Sequence, residues 1–203
     1  MFSPTMPTEQ LSRNRLFAAG RKLFAGNGYE GTSTSSIARE AGTSESQLIK
    51  HFGGKAGLLD AIFVDGWTAL KSQFETVLQT IDSPADRLRQ IPRLLMDALD
   101  KDPDLRLLLL LEGRRIRKEG LQTNLMDGFR GIVELIDRTL SEMSAAGQLR
   151  GIVRPEAIRA ALLGMTEGAM RAQLLAERAG NPAGFASADI GTLTDALISA
   201  VAT

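Results

Sequence analysis

The sequence predicts an all-α protein of about nine helices, with a short three-helix head at the N-terminus and a larger helical part behind it. Three observations lead there. Apolar residues recur at three- and four-residue steps along nearly the whole chain of 203 residues. No stretch alternates apolar and polar residues as a half-buried strand does. Glycine, proline, asparagine and serine gather where those periodic runs stop, as they do at helix ends.

Taken in order, Leu16, Ala19, Gly20, Leu23 and Phe24 give a first amphipathic helix from about Glu9 to Gly26, closed by Asn27-Gly28. Thr34 is placed to cap a short helix, Ser35 to Ala41, with Ile37 and Ala38 inward. Gly42 ends it, and Ser44 with Gln47 three residues on has capping-box spacing for a third helix, Glu45 to about Phe52. Two short helices joined by Gly42-Thr43-Ser44 form a helix-turn-helix. Leu48 and Phe52 face its core, so Glu45, Ser46, Gln47, Ile49 and Lys50 point outward. Such a row suits base edges and phosphates, and it equally suits a solvated face of an ordinary bundle.

After Gly53-Gly54, Leu58 to Leu78 keeps helical spacing to about Thr80; some 25 residues at 1.5 Å make roughly 37 Å, long enough to run from one domain into another. Pro84 to Asp100 is a helix with Pro92 predicting a kink, and Asp102-Pro103 opens another that carries Leu107 to Leu111. Leu121 to Ala146, Pro155 to about Ala179 and Ala188 to Ala202 complete the set, with a loop at residues 180–184.

Composition narrows the function classes. Hydrophobic residues are 43% and charged residues 24%, a globular balance, and 24 basic residues match 24 acidic ones. The charge is uneven: residues 1–60 hold seven lysines and arginines against five acids, so any polyanion belongs at the N-terminal head. With no cysteine and one histidine, thiolate chemistry and histidine metal clusters are excluded, and no metal or cofactor is expected. There is no phosphate loop and no acid–base pair, so an enzyme is not expected. The longest apolar run falls far short of the ~20 residues of a membrane span, and no secretion signal is visible; a cytoplasmic protein is expected.

Residues Leu16 to Leu59 resemble the DNA-binding domain of the tetracycline-repressor (TetR) family of transcriptional regulators. The resemblance is carried by Leu16-Phe17-Ala18-Ala19, Leu23-Phe24, Gly28-Tyr29, Thr32-Ser33-Thr34, Ile37-Ala38, Ala41-Gly42, Ser44, His51-Phe52-Gly53-Gly54-Lys55 and Leu58-Leu59. It implies a helix-turn-helix DNA-binding domain over residues 1–54 and an effector-binding and dimerisation domain over 55–203. It also implies roles. Ser33, Thr34, Ser35 and Arg39 would lie against backbone or base, and Glu45, Ser46, Gln47 and Lys50 in the groove, with Ser44 also among the DNA-binding residues. His51 and Lys55 would meet phosphates, beside the plainer readings of a helix-end histidine and a solvated lysine. The family usually has a tyrosine where this chain has Ile49, so one phosphate contact is absent or passes to Lys50.

The resemblance further implies a homodimer through the last two helices, whose Ala161, Gly164, Gly168, Ala169 and Ala172 would allow close approach. The partners are a double-stranded DNA operator and a small-molecule effector, with no membrane. Trp67, Leu70, Phe74, Met96, Leu99, Leu110, Phe129, Met165 and Met170 would line an effector pocket suited to an apolar or amphipathic molecule. These residue types are also ordinary core. Arg114, Arg115, Arg117 and Lys118 form a basic cluster that helix-dipole complementarity explains. The mechanism implied is a dimer bound to a palindromic operator and released when effector shifts the helix from Lys55 to Thr80. An activator, or an interaction module of the same fold, is the alternative.

Overall fold

The computed structural model describes residues 8–112, 122–182 and 184–203. Their helices are α1 (Thr8–Asn27), α2 (Thr34–Glu40), α3 (Glu45–Phe52), α4 (Lys55–Leu78), α5 (Pro84–Asp100), α6 (Pro103–Leu107), α7 (Gln122–Ala145), α8 (Pro155–Arg178) and α9 (Ser187–Val201). Among the described residues the only sheet-like pairing is a single antiparallel bridge between Leu149 and Ala202, so the fold is all-α. The expected basic cluster at Arg114, Arg115, Arg117 and Lys118 lies outside the described residues, as does Ala183 of the expected loop.

The chain divides into two compact units, one made of 1–67 with 102–128 and the other of 68–101 with 129–203. In the first unit, Leu16 and Phe24 of α1, Ile37 and Ala38 of α2, Leu48 of α3, and Leu58, Leu59, Ile62 and Phe63 of α4 are buried together. Each such leucine, isoleucine or phenylalanine contributes about 1.5–3 kcal/mol by leaving water. Two glycines let helices approach: a Cβ on Gly20 would stand 2.4 Å from Leu58 Cδ2, and one on Gly66 2.5 Å from Leu105 Cδ1. Asp102 caps α6 by accepting from the Leu105 amide at 3.1 Å, and it also pairs with the Arg21 guanidinium of α1. The expected α-helical run through Leu107 to Leu111 is not kept. The α-helix ends at Leu107 and residues Leu108–Glu112 form a π-helical turn, a one-residue widening that leucine periodicity does not register.

In the second unit α5 packs against α8 and α9, and α8 against α9. Leu88, Ile91, Met96 and Leu99 meet Ile158, Leu162, Met170, Leu174, Ile198 and Val201 in its buried set. α5 runs through Pro92 without ending. Polar ties join the helices at their edges: Arg87 to Glu142 at 2.7 Å, Arg93 to Asp195 at 2.7 Å, and Arg159 to Asp137. No helix among the described residues is long and apolar enough to cross a membrane.

Candidate nucleic-acid interface

The helix-turn-helix is built by local hydrogen bonds. Ser33, with extended φ and ψ of −98° and 158°, is the N-cap of α2. Its hydroxyl accepts from the Ser36 amide at 3.0 Å, while Ser36 Oγ accepts from the Ser33 amide at 3.1 Å. The capping box therefore sits at Ser33–Ser36, one residue ahead of the expected Thr34 cap. Thr34 is the first helical residue and its hydroxyl donates instead to the Glu45 carboxylate across the turn. Gly42, at φ +59°, closes α2 in a Schellman turn: the Thr43 amide donates to Ala38 O at 3.0 Å and the Gly42 amide to Arg39 O at 3.1 Å.

Ser44 is the N-cap of α3 by backbone geometry, but the expected Ser44–Gln47 capping box is not formed. The Ser44 hydroxyl turns to Ser46 Oγ at 2.8 Å, and the Gln47 amide is taken by the Ser44 carbonyl at 3.1 Å. Leu48 anchors α3 with no exposed surface, leaving Glu45, Ser46, Ile49 and Lys50 exposed and Gln47 half-buried beside them. Ile49 is 61% exposed, an apolar side chain on that face. Ser33, Ser35 and Arg39 are exposed on α2 and its cap, so the expected α2 and α3 residues lie on adjoining helices of one unit.

Two expected phosphate ligands are otherwise engaged. His51 packs edge-on to Phe52, and its Nε2 is buried without a hydrogen-bond partner. Lys55 Nζ donates to Tyr29 O and Thr32 O, each at 2.9 Å, and lies 4.0 Å from the centre of the Tyr29 ring. Its ammonium pins the loop between α1 and α2 to the start of α4.

Sequence reasoning missed the contribution of α1. Lys50 Nζ lies 2.8 Å from Glu9 Oε1, and the Lys50 ammonium hydrogen-bonded there holds the Glu9 carboxyl below its ordinary value. Arg13 stands over the Phe52 ring at 5.2 Å. Glu9, Ser12, Arg13 and Arg15 share the polar side of a helical pattern, but that pattern cannot say which neighbour the side meets.

The nine residues expected to line an effector pocket are split between the units: Trp67 and Leu110 belong to the first, the other seven to the second. Trp67, Leu70, Phe74, Met96, Leu99, Leu110 and Met170 are buried, Met165 is half-buried and Phe129 is exposed. The second unit does hold a polar cleft of about 250 Å³ lined by Glu75, Leu78, Gln79, Arg87, Leu135, Arg138 and Thr139, none of them among those nine. No group of histidine and acidic side chains able to hold a metal occurs among the described residues.

The small residues expected at the partner surface are mostly outward. Ala161, Gly164, Gly168 and Ala172 of α8 are exposed, Leu175 is 56% exposed and Leu193 of α9 is 53% exposed; Ala169 is buried within the chain.

Comparison with known proteins agrees with this geometry. Residues 16–62 match the family described as bacterial regulatory proteins, tetR family. The nucleoid occlusion factor SlmA of Yersinia pseudotuberculosis is 27% identical over 168 residues, covering 79% of this chain and 83% of that protein. Among solved structures, the transcriptional regulator FadR from Bacillus subtilis in complex with stearoyl-CoA superposes with a TM-score of 0.78 at 18% identity, over 92% of this chain and 95% of that one. AibR in complex with isovaleryl coenzyme A and operator DNA superposes with a TM-score of 0.71 at 22% identity, over 94% and 97%. The exposed outer face of α3 lies within the head that matches the tetR family, and the chain shares its fold with solved regulators, which together support a DNA-binding regulator of that family.

Proposed function

We propose that the protein is a homodimeric repressor that binds a palindromic operator through two copies of α3 and leaves it when a small apolar or amphipathic effector binds. The observation that supports this best is the outer face of α3, where Glu45, Ser46, Ile49 and Lys50 are exposed around a helix fixed by fully buried Leu48. One short helix reads only a few base pairs, too few for useful specificity in a genome. Two copies about one duplex turn apart, roughly 34–36 Å, read a palindrome. The exposed small-residue side of α8 with Leu193 of α9 is the surface proposed for pairing.

In this reading residues 1–54 hold the DNA-contacting side chains and 55–203 serve effector binding and pairing. Ser33, Ser35 and Arg39 would flank the groove, and Ser44 and His51 the backbone. Release needs an effector with different affinity for the bound and free spacings of the heads, and α4, continuous from Lys55 to Leu78, is the element through which it would act. FadR and AibR hold acyl-coenzyme A molecules; stearoyl- and isovaleryl-CoA are therefore the first effectors to try, scored by thermal shift and by loss of a duplex complex.

The direct test is selection of bound duplexes from a random pool followed by Gln47→Ala. The substitution is expected to cost about 1–3 kcal/mol on the selected operator and to relax preference at one or two base pairs per half-site. Random duplexes should change less than about two-fold, since nonspecific binding rests on phosphates. Equal loss on both would remove Gln47 from the reading face.

A further inference from the structure

The side of α1 next to α3 carries chemistry that the groove-facing residues leave unexplained. Glu9, Ser12, Arg15, Thr43, Gln47 and Lys50 line one cleft of about 300 Å³. Its two sides are tied together, because nearly buried Ser12 has its Oγ 3.3 Å from Thr43 Oγ1, joining α1 to the turn that precedes α3. Exposed Arg15 reaches across that turn, its Nη1 3.8 Å from where a Cβ on Gly42 would stand. Lys50 enters from α3 and meets Glu9 at 2.8 Å. The cleft thus gathers two cations, two hydroxyls and an amide around a single carboxylate.

We infer that this cleft is a second backbone-phosphate site of the reading head, with Arg15 and Lys50 as its cations and Glu9 as the resident counter-ion that a DNA phosphate displaces. A phosphodiester offers the same single negative charge and the same kind of oxygen acceptor as the Glu9 carboxylate. Glu9 and Lys50 side chains are 61% and 58% exposed, so their pair forms in water and exchanges readily. The Glu9 carboxyl is held ionised by the same Lys50 ammonium. On binding, Lys50 trades one anion for another while Glu9 is left facing the DNA strand. Any duplex is then bound less tightly than the cations of the head alone would allow. The site also gives Lys50 the phosphate that Ile49, lacking a hydroxyl, cannot hold.

The test is equilibrium binding of the full chain to its selected operator and to a random duplex over a range of salt, each variant first checked for an unchanged melting curve. Arg15→Gln should weaken both duplexes by the same factor, about three- to ten-fold, and make the salt slope shallower by about 0.9. Glu9→Gln should tighten both by about two- to five-fold and steepen the slope by up to about 0.9. In a Lys50→Ala background Glu9→Gln should give a clearly smaller gain, since only the repulsion between Glu9 and the strand is then relieved. A neutral Arg15→Gln, a neutral or weakening Glu9→Gln, or an equal gain without Lys50 would each overturn the assignment. One reading needs no DNA: the Glu9 carboxyl, followed by NMR, should rise to an ordinary carboxylate pKa in Lys50→Ala, and an unmoved titration would mean the pair does not exist in solution. Absence of all duplex binding by the unsubstituted protein would remove the head and the cleft together, whereas the Glu9 and Arg15 variants judge the cleft alone.

Discussion

Leu175→Arg combined with Leu193→Arg is expected to yield a folded monomer whose affinity for a palindromic operator is lower by about 100-fold or more. Leu175 of α8 and Leu193 of α9 are each more than half exposed, on the two helices proposed for pairing. Along α8, Ala161, Gly164, Gly168, Ala172 and Leu175 follow one another at steps of three, four, four and three residues, and all are exposed. A Cβ added to Gly164 or Gly168 would meet nothing within 4 Å, so these glycines face open space on the surface proposed for pairing. Two arginines per copy would bring four desolvated charges into a surface of that kind, and burying unpaired charge is prohibitive. Without pairing, the second head no longer arrives at the millimolar effective concentration that tethering provides. Sedimentation should report the monomer, circular dichroism should be unchanged, and a random duplex should lose far less affinity than the operator. A variant that stays dimeric would move the interface elsewhere.

How far the sequence led can be judged residue by residue. Periodicity was enough for the helices because each keeps an apolar stripe: Leu16, Ala19 and Phe24 of α1, Leu88, Ile91 and Leu99 of α5, and Ile158, Leu162 and Ala169 of α8 are buried on the predicted faces, whereas Ala161, Ala172 and Leu175 of the predicted α8 face are exposed. Periodicity failed where geometry changes without a change of residue type. A run of leucines reads the same in an α-helix and in the π turn at Leu108–Glu112. Capping failed at single-residue resolution, since serine and threonine compete for one role. Ser33 caps α2 because Ser36 reciprocates, while the Ser44 hydroxyl finds Ser46. At the candidate site, the exposed face of α3 was legible from the burial of Leu48 alone. The cleft beside it was not, because Glu9 and Lys50 are 41 positions apart and only the packing of α1 on α3 brings them to 2.8 Å.

Lys55→Met is expected to loosen the head and, through it, to weaken binding to every duplex. The ammonium of Lys55 satisfies two backbone carbonyls, Tyr29 O and Thr32 O, at 2.9 Å each, and rests over the Tyr29 ring. Thr32 is itself buried, with its hydroxyl donating to Gly28 O at 2.8 Å and Leu23 O at 3.1 Å. Methionine keeps the length of the side chain and removes the charge and the donors. Tyr29 O keeps the Thr32 amide at 3.3 Å, so the substitution takes from Thr32 O its donor, at a cost of about 1–3 kcal/mol, and losing the cation over the ring adds about 0.5–1 kcal/mol. A melting temperature lower by about 3–10 °C follows. The same loop delivers Ser33 and Thr34 to the start of α2, and Thr34 reaches Glu45 on α3, so disorder there spreads to both helices of the reading motif. Duplex affinity should therefore fall along with stability, and Lys55→Arg, which restores charge and donors, should recover part of both. If Lys55 acted mainly on phosphate, Lys55→Met would leave the melting temperature in place and reduce only the salt slope, by about one unit. The two outcomes separate a lysine that builds the head from one that merely touches DNA.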